Sequence, residues 1–382
     1  MSKIYLDNAA TSYPKPQEVY DFMDSFYRKP RFGAAAMAET KELVGETRKM
    51  LTQLVNGGPD YHRLTFSYNA TDSLNLLISG LVEPGIHVVT TCLEHNAVLR
   101  PLYLHKEAGT ISVTYVPFDI QTGFINPKEV EKAIQPNTKF VVMTHCSNVL
   151  GTVQPIAEVG AVCKKHGILF VVDGSQGIGY NEVDMQAFNI DCYAFTGHKA
   201  LMGPTGTGGA YVREGVSIKH TRGGGTGFRS DHPAHLDEYP YRLEYGTLNI
   251  LGVAGLYAGV KWVIGQGIPH LHRQKMELWE QLRMGLKEVA GVKMYCAQSG
   301  ENHNPVLAFH VEGYDSTAVY SILDREYGIA ARCGLQCAPI VHRHLGTLER
   351  QGLLRMSMGA FTTEAEVERA IEAVRKIAAM KN

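Results

Sequence analysis

The sequence predicts an α/β fold centred on a mainly parallel sheet with helices on both faces. Two observations carry that expectation. From Leu64 onward, short apolar runs alternate with segments of helical periodicity, and repeated strand–helix–strand units build parallel sheets flanked by helices. The runs KFVVMTH (139–145) and ILFVVD (168–173) are continuously apolar rather than alternating, as strands covered on both faces must be.

The elements follow in order. LTFSY at 64–68 reads as a strand and TDSLNLLISGL at 71–81 as a helix. HVVTT (87–91) and ISVTYVPF (111–118) read as further strands, and KEVEKAI (128–134) as the helix before KFVVMTH. In IAEVGAVCKKHG the apolar Ile156, Val159 and Cys163 fall at helical spacing, with Gly167 as the C-terminal stop. ILFVVD and CYAFT (192–196) complete the strand series. From about Leu251 the text becomes more helical, through LGVAGLYAGVKWVIGQG and LHRQKMELWEQLRMGLKEVAG. NPVLAFHV, the helical STAVYSILDREYG, the strand-like GLLRMSMGA and a last helix from about Thr363 then form a smaller α/β layer, joined by the N-terminal helix. The expected division is a large domain of residues 16–250 and a small domain of residues 1–15 and 251–382.

Composition narrows the function. With 45% hydrophobic and 20% charged residues, the 382-residue chain is an ordinary globular protein with ample core. Its net charge of −1, without a basic block, disfavours nucleic acid and anionic membranes as partners. MSKIYLDNAATSYPKP lacks the charged-then-apolar layout of a secretory signal, and no apolar stretch nears the ~18 residues that span a bilayer. Seven cysteines, sparse and odd in number, suit a reducing compartment, so a cytoplasmic location is expected.

Ligands of open parallel sheets bind beyond the carboxyl ends of the strands. There the sequence places Asp173, then His198 and Lys199, then Glu94, His95 and Asn96, then Ser147 and Asn148. Neither GxxxxGK[ST] nor GxGxxG occurs, which removes the common nucleotide motifs. The turn Asn69-Ala70-Thr71 could receive an anion at the start of its helix, or Thr71 could simply cap that helix. Lys199 lies in AFTGHKALMGPTGTGGAYV, where small residues clear space around one long cation. A lysine, a carboxylate, an imidazole and a phosphate cup together suit pyridoxal 5′-phosphate.

YLDNAAT, LEHNA, SNVLG, VDGSQ, FTGHKALMGPTGTG, EYGTLN and LLRMSMGAFTTEAEVERAI resemble the class V, fold-type I pyridoxal-phosphate enzymes. More narrowly, they resemble the cysteine desulfurase and selenocysteine lyase branch of the NifS/SufS type. The resemblance implies a seven-stranded sheet in the large domain, a homodimer, and L-cysteine or L-selenocysteine as substrate. It implies that Lys199 binds the cofactor covalently, Asp173 pairs with its ring nitrogen and His95 stacks on the ring. Asn148 and Gln176 would contact the phenolic oxygen. Thr71, Thr196 and His198 would hold the phosphate, with Thr247 supplied by the other subunit. Arg355 would clamp the substrate carboxylate, as guanidinium geometry allows.

ARCGLQCAPIVHRHLG is similar to the short active-site loop of the SufS-like group, which makes Cys337 the nucleophile, with Arg332 near enough in sequence to favour its thiolate. The family loop reads roughly Arg-Thr-Gly-His-His-Cys; here Cys333 replaces the threonine and Leu335-Gln336 replace the histidines. Cys333 is either a resolving thiol or a passive small residue. RKPRFGAAAMAET also lacks the histidine expected near the substrate entrance. The expected reaction is sulfur removal from L-cysteine, giving alanine and a persulfide on Cys337 for a sulfur-acceptor protein or a reductant. Selenocysteine lyase, aminotransferase or epimerase activity are the alternatives within the class. A zinc- or thiol-based sulfur carrier is the alternative outside it, because Cys333, Cys337, His342 and His344 offer zinc-ligating atoms, although two histidines one residue apart point apart in a strand.

Overall fold

The computed structural model describes residues 3–30 and 33–380; Arg31 and Phe32, within the stretch read for its missing histidine, lie outside the described residues. The chain opens with strand β1 (Ile4–Tyr5) and helices α1 (Gln17–Arg28) and α2 (Ala34–Leu54). The alternating part follows as β2 (Leu64–Ser67), α3 (Ala70–Leu81), β3 (Ile86–Thr91), α4 (Asn96–Glu107) and β4 (Ile111–Val116). It continues with α5 (Pro127–Ala133), β5 (Thr138–Thr144), α6 (Ile156–His166), β6 (Leu169–Asp173), β7 (Cys192–Thr196) and β8 (Gly208–Val212). Helices α7 (Ile250–Gln266) and α8 (Ile268–Lys287) lead to β9 (Val292–Met294), β10 (Val306–Val311) and α9 (Ser316–Tyr327). The chain ends with β11 (Ile329–Ala330), α10 (Pro339–Leu345), β12 (Leu354–Ser357) and α11 (Glu364–Ala379).

Strands β2 to β8 form a seven-stranded sheet in the order β2-β8-β7-β6-β5-β3-β4. The inner pairs are parallel, and β8 runs antiparallel to both β7 and β2. Side chains of β5 show why its sequence is apolar without interruption. Phe140 and Val142 enter the core beneath α3 and α4, while Val141 and Met143 enter the opposite core with Val159 and Cys163 of α6. Both faces of the strand are therefore dry. Gly167 ends α6 with φ 64°, the left-handed stop expected from sequence.

A three-stranded antiparallel sheet, β12-β10-β9, packs Leu307, Phe309 and Met356 against Trp279 and Leu282 of α8 and Ile371 of α11. Strand β1 pairs in parallel with β11, so the extreme N-terminal segment joins this smaller layer. Helix α1 does not join it, contrary to expectation. Its Phe22 and Phe26 face Ala254 and Tyr257 of α7, and α7 buries Val253, Leu256 and Val260 in the large core. The apolar stripe of α1 is thus satisfied by α7 rather than by the small sheet. Among the described residues, no helix is long and apolar enough to cross a membrane.

Helix α6 lies so close to the segment after β6 that a Cβ on Gly160 would sit 1.8 Å from the Phe188 carbonyl oxygen. Gly160→Ala should therefore destabilise the protein by about 1–3 kcal/mol through overpacking. Gly45→Ala, inside α2 with nothing within 4 Å of the added carbon, should instead stabilise by about 0.5–1 kcal/mol. Urea midpoints of the two variants should move in opposite directions.

Candidate active site

The parallel strands deliver Thr144, Asp173 and Thr196 from the ends of β5, β6 and β7 into a cavity of about 320 Å³, together with Lys199 just beyond β7. Register pairs Thr144 with Asp173 and Asp173 with Ala194, so the sheet itself fixes the carboxylate beside the strand that leads to the lysine. Loss of hydration lowers the Lys199 amine to about 8, and the charge of Asp173 acts in the opposite direction. Asp173 Oδ1 accepts hydrogen bonds from Ser175 N (3.0 Å) and Ser175 Oγ (2.5 Å), which leaves Oδ2 for another donor.

His95 forms the N-cap of α4, where its Nδ1 accepts the Ala97 N–H at 3.0 Å. Burial lowers its pKa to about 4. The ring is neutral near pH 7 and carries its hydrogen on Nε2. At α3 the cap is Asn69, not Thr71: Asn69 Oδ1 accepts Asp72 N at 3.0 Å. Thr71 is thereby left on the cavity wall with Asn69 and Ala70, beside first-turn amides that have no intrahelical partner. His198 closes this end; burial, then the charges of Lys199 and Lys15, lower its pKa to about 4, and its buried Nδ1 has no hydrogen-bond partner.

The remaining expected residues have defined places. Gln176 lines the cavity and donates from Nε2 to Ala9 O at 2.8 Å. Asn148 lines it too, and its Nδ2 donates to Gln336 O at 2.7 Å, tying the large layer to the thiol loop. Arg355 donates from Nη2 to Asp7 Oδ1 and from Nη1 to Asn148 O, both at 2.7 Å. Its buried Nε is unpartnered, so three of its five N–H groups remain for an anion. Arg332 reaches the cavity from the strand-like segment bridged to Arg355. Thr247 is exposed and lines a separate cleft with Tyr68 and Tyr245, so one chain does not bring it to Lys199.

Cys337 is exposed at the cavity edge with φ 59°, directly after Gln336 at φ 48°. Two successive non-glycine residues in the left-handed region are uncommon. They are held by Asn148 Nδ2 on Gln336 O, by Asn96 N on Cys337 O at 2.7 Å, and by Gln336 Nε2 on Leu353 O at 2.8 Å. Cys333 instead packs against the hydrophobic cluster of the small layer. The alternative zinc set does not assemble: His342 Nδ1 pairs with Thr347 Oγ1 and His344 Nε2 with Phe118 O, each at 2.9 Å. Among the described residues, no group of three or more His, Cys, Asp or Glu side chains is arranged to hold a metal.

Sequence reasoning left Asp7, Ser175 and Gln336 without roles in the site. Asp7 was visible inside the YLDNAAT motif, but only the fold brings it to Arg355, 348 residues away.

The aminotransferase class-V family pattern matches residues 4–370. The chain belongs to the class-V aminotransferase family. A Pyrococcus abyssi protein named probable cysteine desulfurase is 33% identical, covering 96% of this chain and 92% of its own. One of the same name from Methanothermobacter thermautotrophicus is 31% identical, covering 99% and 95%. The apo structure of cysteine desulfurase from Thermococcus onnurineus NA1 matches with a TM-score of 0.87 at 29% identity, over 99% of this chain and 95% of that one.

One more carboxyl lies under this class-V site. Glu94 Oε1 accepts Thr91 Oγ1 at 2.5 Å and Thr144 N at 3.1 Å, and its buried Oε2 has no partner. Burial pushes Glu94 up to about 8 from an ordinary 4.5. The native state therefore keeps a proton that the unfolded chain releases. The resulting stability is present below the unfolded value and is lost as pH rises toward 8, at up to about 1.4 kcal/mol per pH unit. In Glu94→Gln this loss disappears, so urea unfolding should favour the variant progressively between pH 5 and 8. A difference that does not change with pH would mean that Glu94 is ionised in the fold.

Proposed function

We propose that this class-V protein is a pyridoxal-phosphate-dependent cysteine desulfurase that acts as a homodimer. The observation that carries the proposal is one cavity lined by Lys199, Asp173, Arg355 and Cys337. The names of its relatives point the same way.

The residues present fit the cofactor. Unpartnered His198 Nδ1, Thr71 and the open first turn of α3 form a cup for its phosphate. Asp173 would hold the ring nitrogen protonated, and neutral His95 would lie on the ring. When bound, pyridoxal phosphate supplies an electron sink for charge developing at the substrate Cα. Lys199, lowered to about 8, is an amine that can attach the cofactor and accept the Cα proton near neutral pH. Arg355 would receive the substrate carboxylate through its free N–H groups.

The thiol completes the reaction. Cys337 Sγ attacks the sulfur of L-cysteine; the new S–S bond forms as the substrate Cβ–S bond breaks. The balance is L-cysteine plus the Cys337 thiol giving L-alanine plus a Cys337 persulfide. Its exposed position would let an acceptor thiol collect the outer sulfur. Thr247, exposed and outside the cavity of its own chain, is assigned to the phosphate site of a second copy.

In the loaded wild type, borohydride should fix the cofactor to the peptide containing Lys199. Lys199→Ala should lose that mass addition and all turnover while retaining its fold by circular dichroism. A fixed cofactor on another lysine would sink the assignment.

Cys337→Ser should keep bound cofactor and still bind cysteine, yet lose alanine formation by roughly two orders of magnitude or more. Cys333→Ser should stay within about threefold of wild type, since its side chain faces the small-layer core. After brief exposure to cysteine, one added sulfur should map to Cys337 by mass spectrometry. Sulfur on Cys333 would reverse the two roles.

A further inference from the structure

The N-terminal segment crosses from one half of the site to the other. At its start, Asp7 holds Arg355, Asn8 Nδ2 donates to Ser357 O at 3.1 Å, and Ala9 N donates to Ser357 Oγ at 2.8 Å. At its end, donors converge on the peptide that carries Lys199. His198 O lies 3.0 Å from Ser12 N, 3.0 Å from Thr11 Oγ1 and 2.8 Å from Lys15 Nζ. Ser12 Oγ lies 2.7 Å from Lys199 O, and Lys15 Nζ lies 2.7 Å from Ser12 Oγ.

A hydroxyl has one proton to give. Lys15 therefore donates to Ser12 Oγ, and Ser12 gives its own proton to Lys199 O at 2.7 Å in preference to the more distant His198 O at 3.2 Å. The same ammonium donates directly to His198 O. One cation thus links the two successive carbonyls that frame Lys199. Among the described residues, no carboxylate forms an ion pair with Lys15, whose partial burial lowers it to about 8. A partly desolvated cation whose protein partners are a carbonyl and a hydroxyl, with no carboxylate, costs free energy, which a purely structural tether could avoid with a neutral side chain.

We infer that Lys15 is a positioning residue: through Ser12 it fixes the His198–Lys199 peptide, and segment 7–15 becomes a strap that keeps the Lys199 amine in register with the Arg355 guanidinium. This inference rests on the desulfurase reading, in which Lys199 acts at the substrate Cα and Arg355 on its carboxylate.

The test uses the cofactor-loaded dimer and its cofactor-free form. Lys15→Ala should lower kcat for cysteine by about tenfold to a hundredfold, the usual penalty for a slightly misplaced catalytic group. KM should stay within about threefold, because Arg355 keeps Asp7. In the cofactor-free chain, acetic anhydride should label Lys199 faster in Lys15→Ala than in wild type, as read by peptide mass. Propylammonium should restore kcat of Lys15→Ala in a saturable manner and leave wild type unchanged. Unaltered kcat and labelling, or an activity loss that tracks unfolding without amine rescue, would overturn the inference. Should Lys15→Ala not fold, Lys15→Gln must show the same fall in kcat and rise in labelling, and wild-type behaviour would overturn it equally. If borohydride fails to fix the cofactor on Lys199 in wild type, the desulfurase reading falls; if it succeeds while the Lys15 variants behave normally, only the strap falls.

Discussion

Lys199 carries its amine into a cavity where burial favours the neutral form, and the charge of Asp173 on the adjoining strand is the first force in the other direction. The rest of the site is arranged around that opposition. Two adjacent parallel strands end together because their register is set by continuous apolar side chains packed on both faces. A slip of one residue would send every core side chain to the wrong face. Placement of the amine and the carboxylate is therefore enforced by the whole core. Glu94 lies nearby as a second carboxyl, and burial keeps its proton on. Burial thus keeps this second carboxyl neutral, so that it adds no negative charge beside Asp173.

The Cys337 thiol obeys a different constraint. Lys199 is placed by strands, whereas Cys337 sits on a loop of the small layer whose carbonyls are gripped by Asn148 and Asn96 of the large layer. Asn148 also offers its own carbonyl to Arg355. One amide residue consequently touches the thiol loop, Arg355 and the cavity wall. The two layers are stitched together where the Cys337 loop and Arg355 meet at one cavity.

Much of this was legible in the sequence because buried parallel strands leave a loud signal. Asp173, His198, Lys199, His95 and Asn148 could be picked out at strand ends and Thr71 at a helix start, whereas Gln176, Thr196, Arg332, Arg355 and Cys337 followed only from the family resemblance; all of them line one cavity. Strand β8 was hidden because it begins GG, and glycine pairs ordinarily read as turns. Its glycines are forced by crowding, since a Cβ on Gly208 would meet the Asn69 backbone at 2.6 Å and one on Gly209 the Thr65 carbonyl at 2.3 Å. The sequence left open whether Thr71 caps α3 or faces an anion; the bond from Asp72 N shows that Asn69 is the cap. Asp7 and Lys15 could not be assigned from sequence, because their partners are 348 and 183 residues away.

The departures in the thiol loop become intelligible from where its anchors are. Asn148 and Asn96 grip main-chain oxygens of Gln336 and Cys337, which any residue able to adopt the local conformation would present. The side chains that differ from the family loop do other work. Leu335 is 38% exposed, and Cys333 fills a place against the small-layer core. Gln336 uses its amide to brace Leu353 O, a neutral donor where an imidazole would titrate. Bonds to main-chain oxygens hold the thiol loop together with the Gln336 amide, whereas the side chains at 333 and 335 take no part in holding Cys337. With glutamine at 336, the loop carries beside Cys337 a neutral amide whose charge does not change with pH.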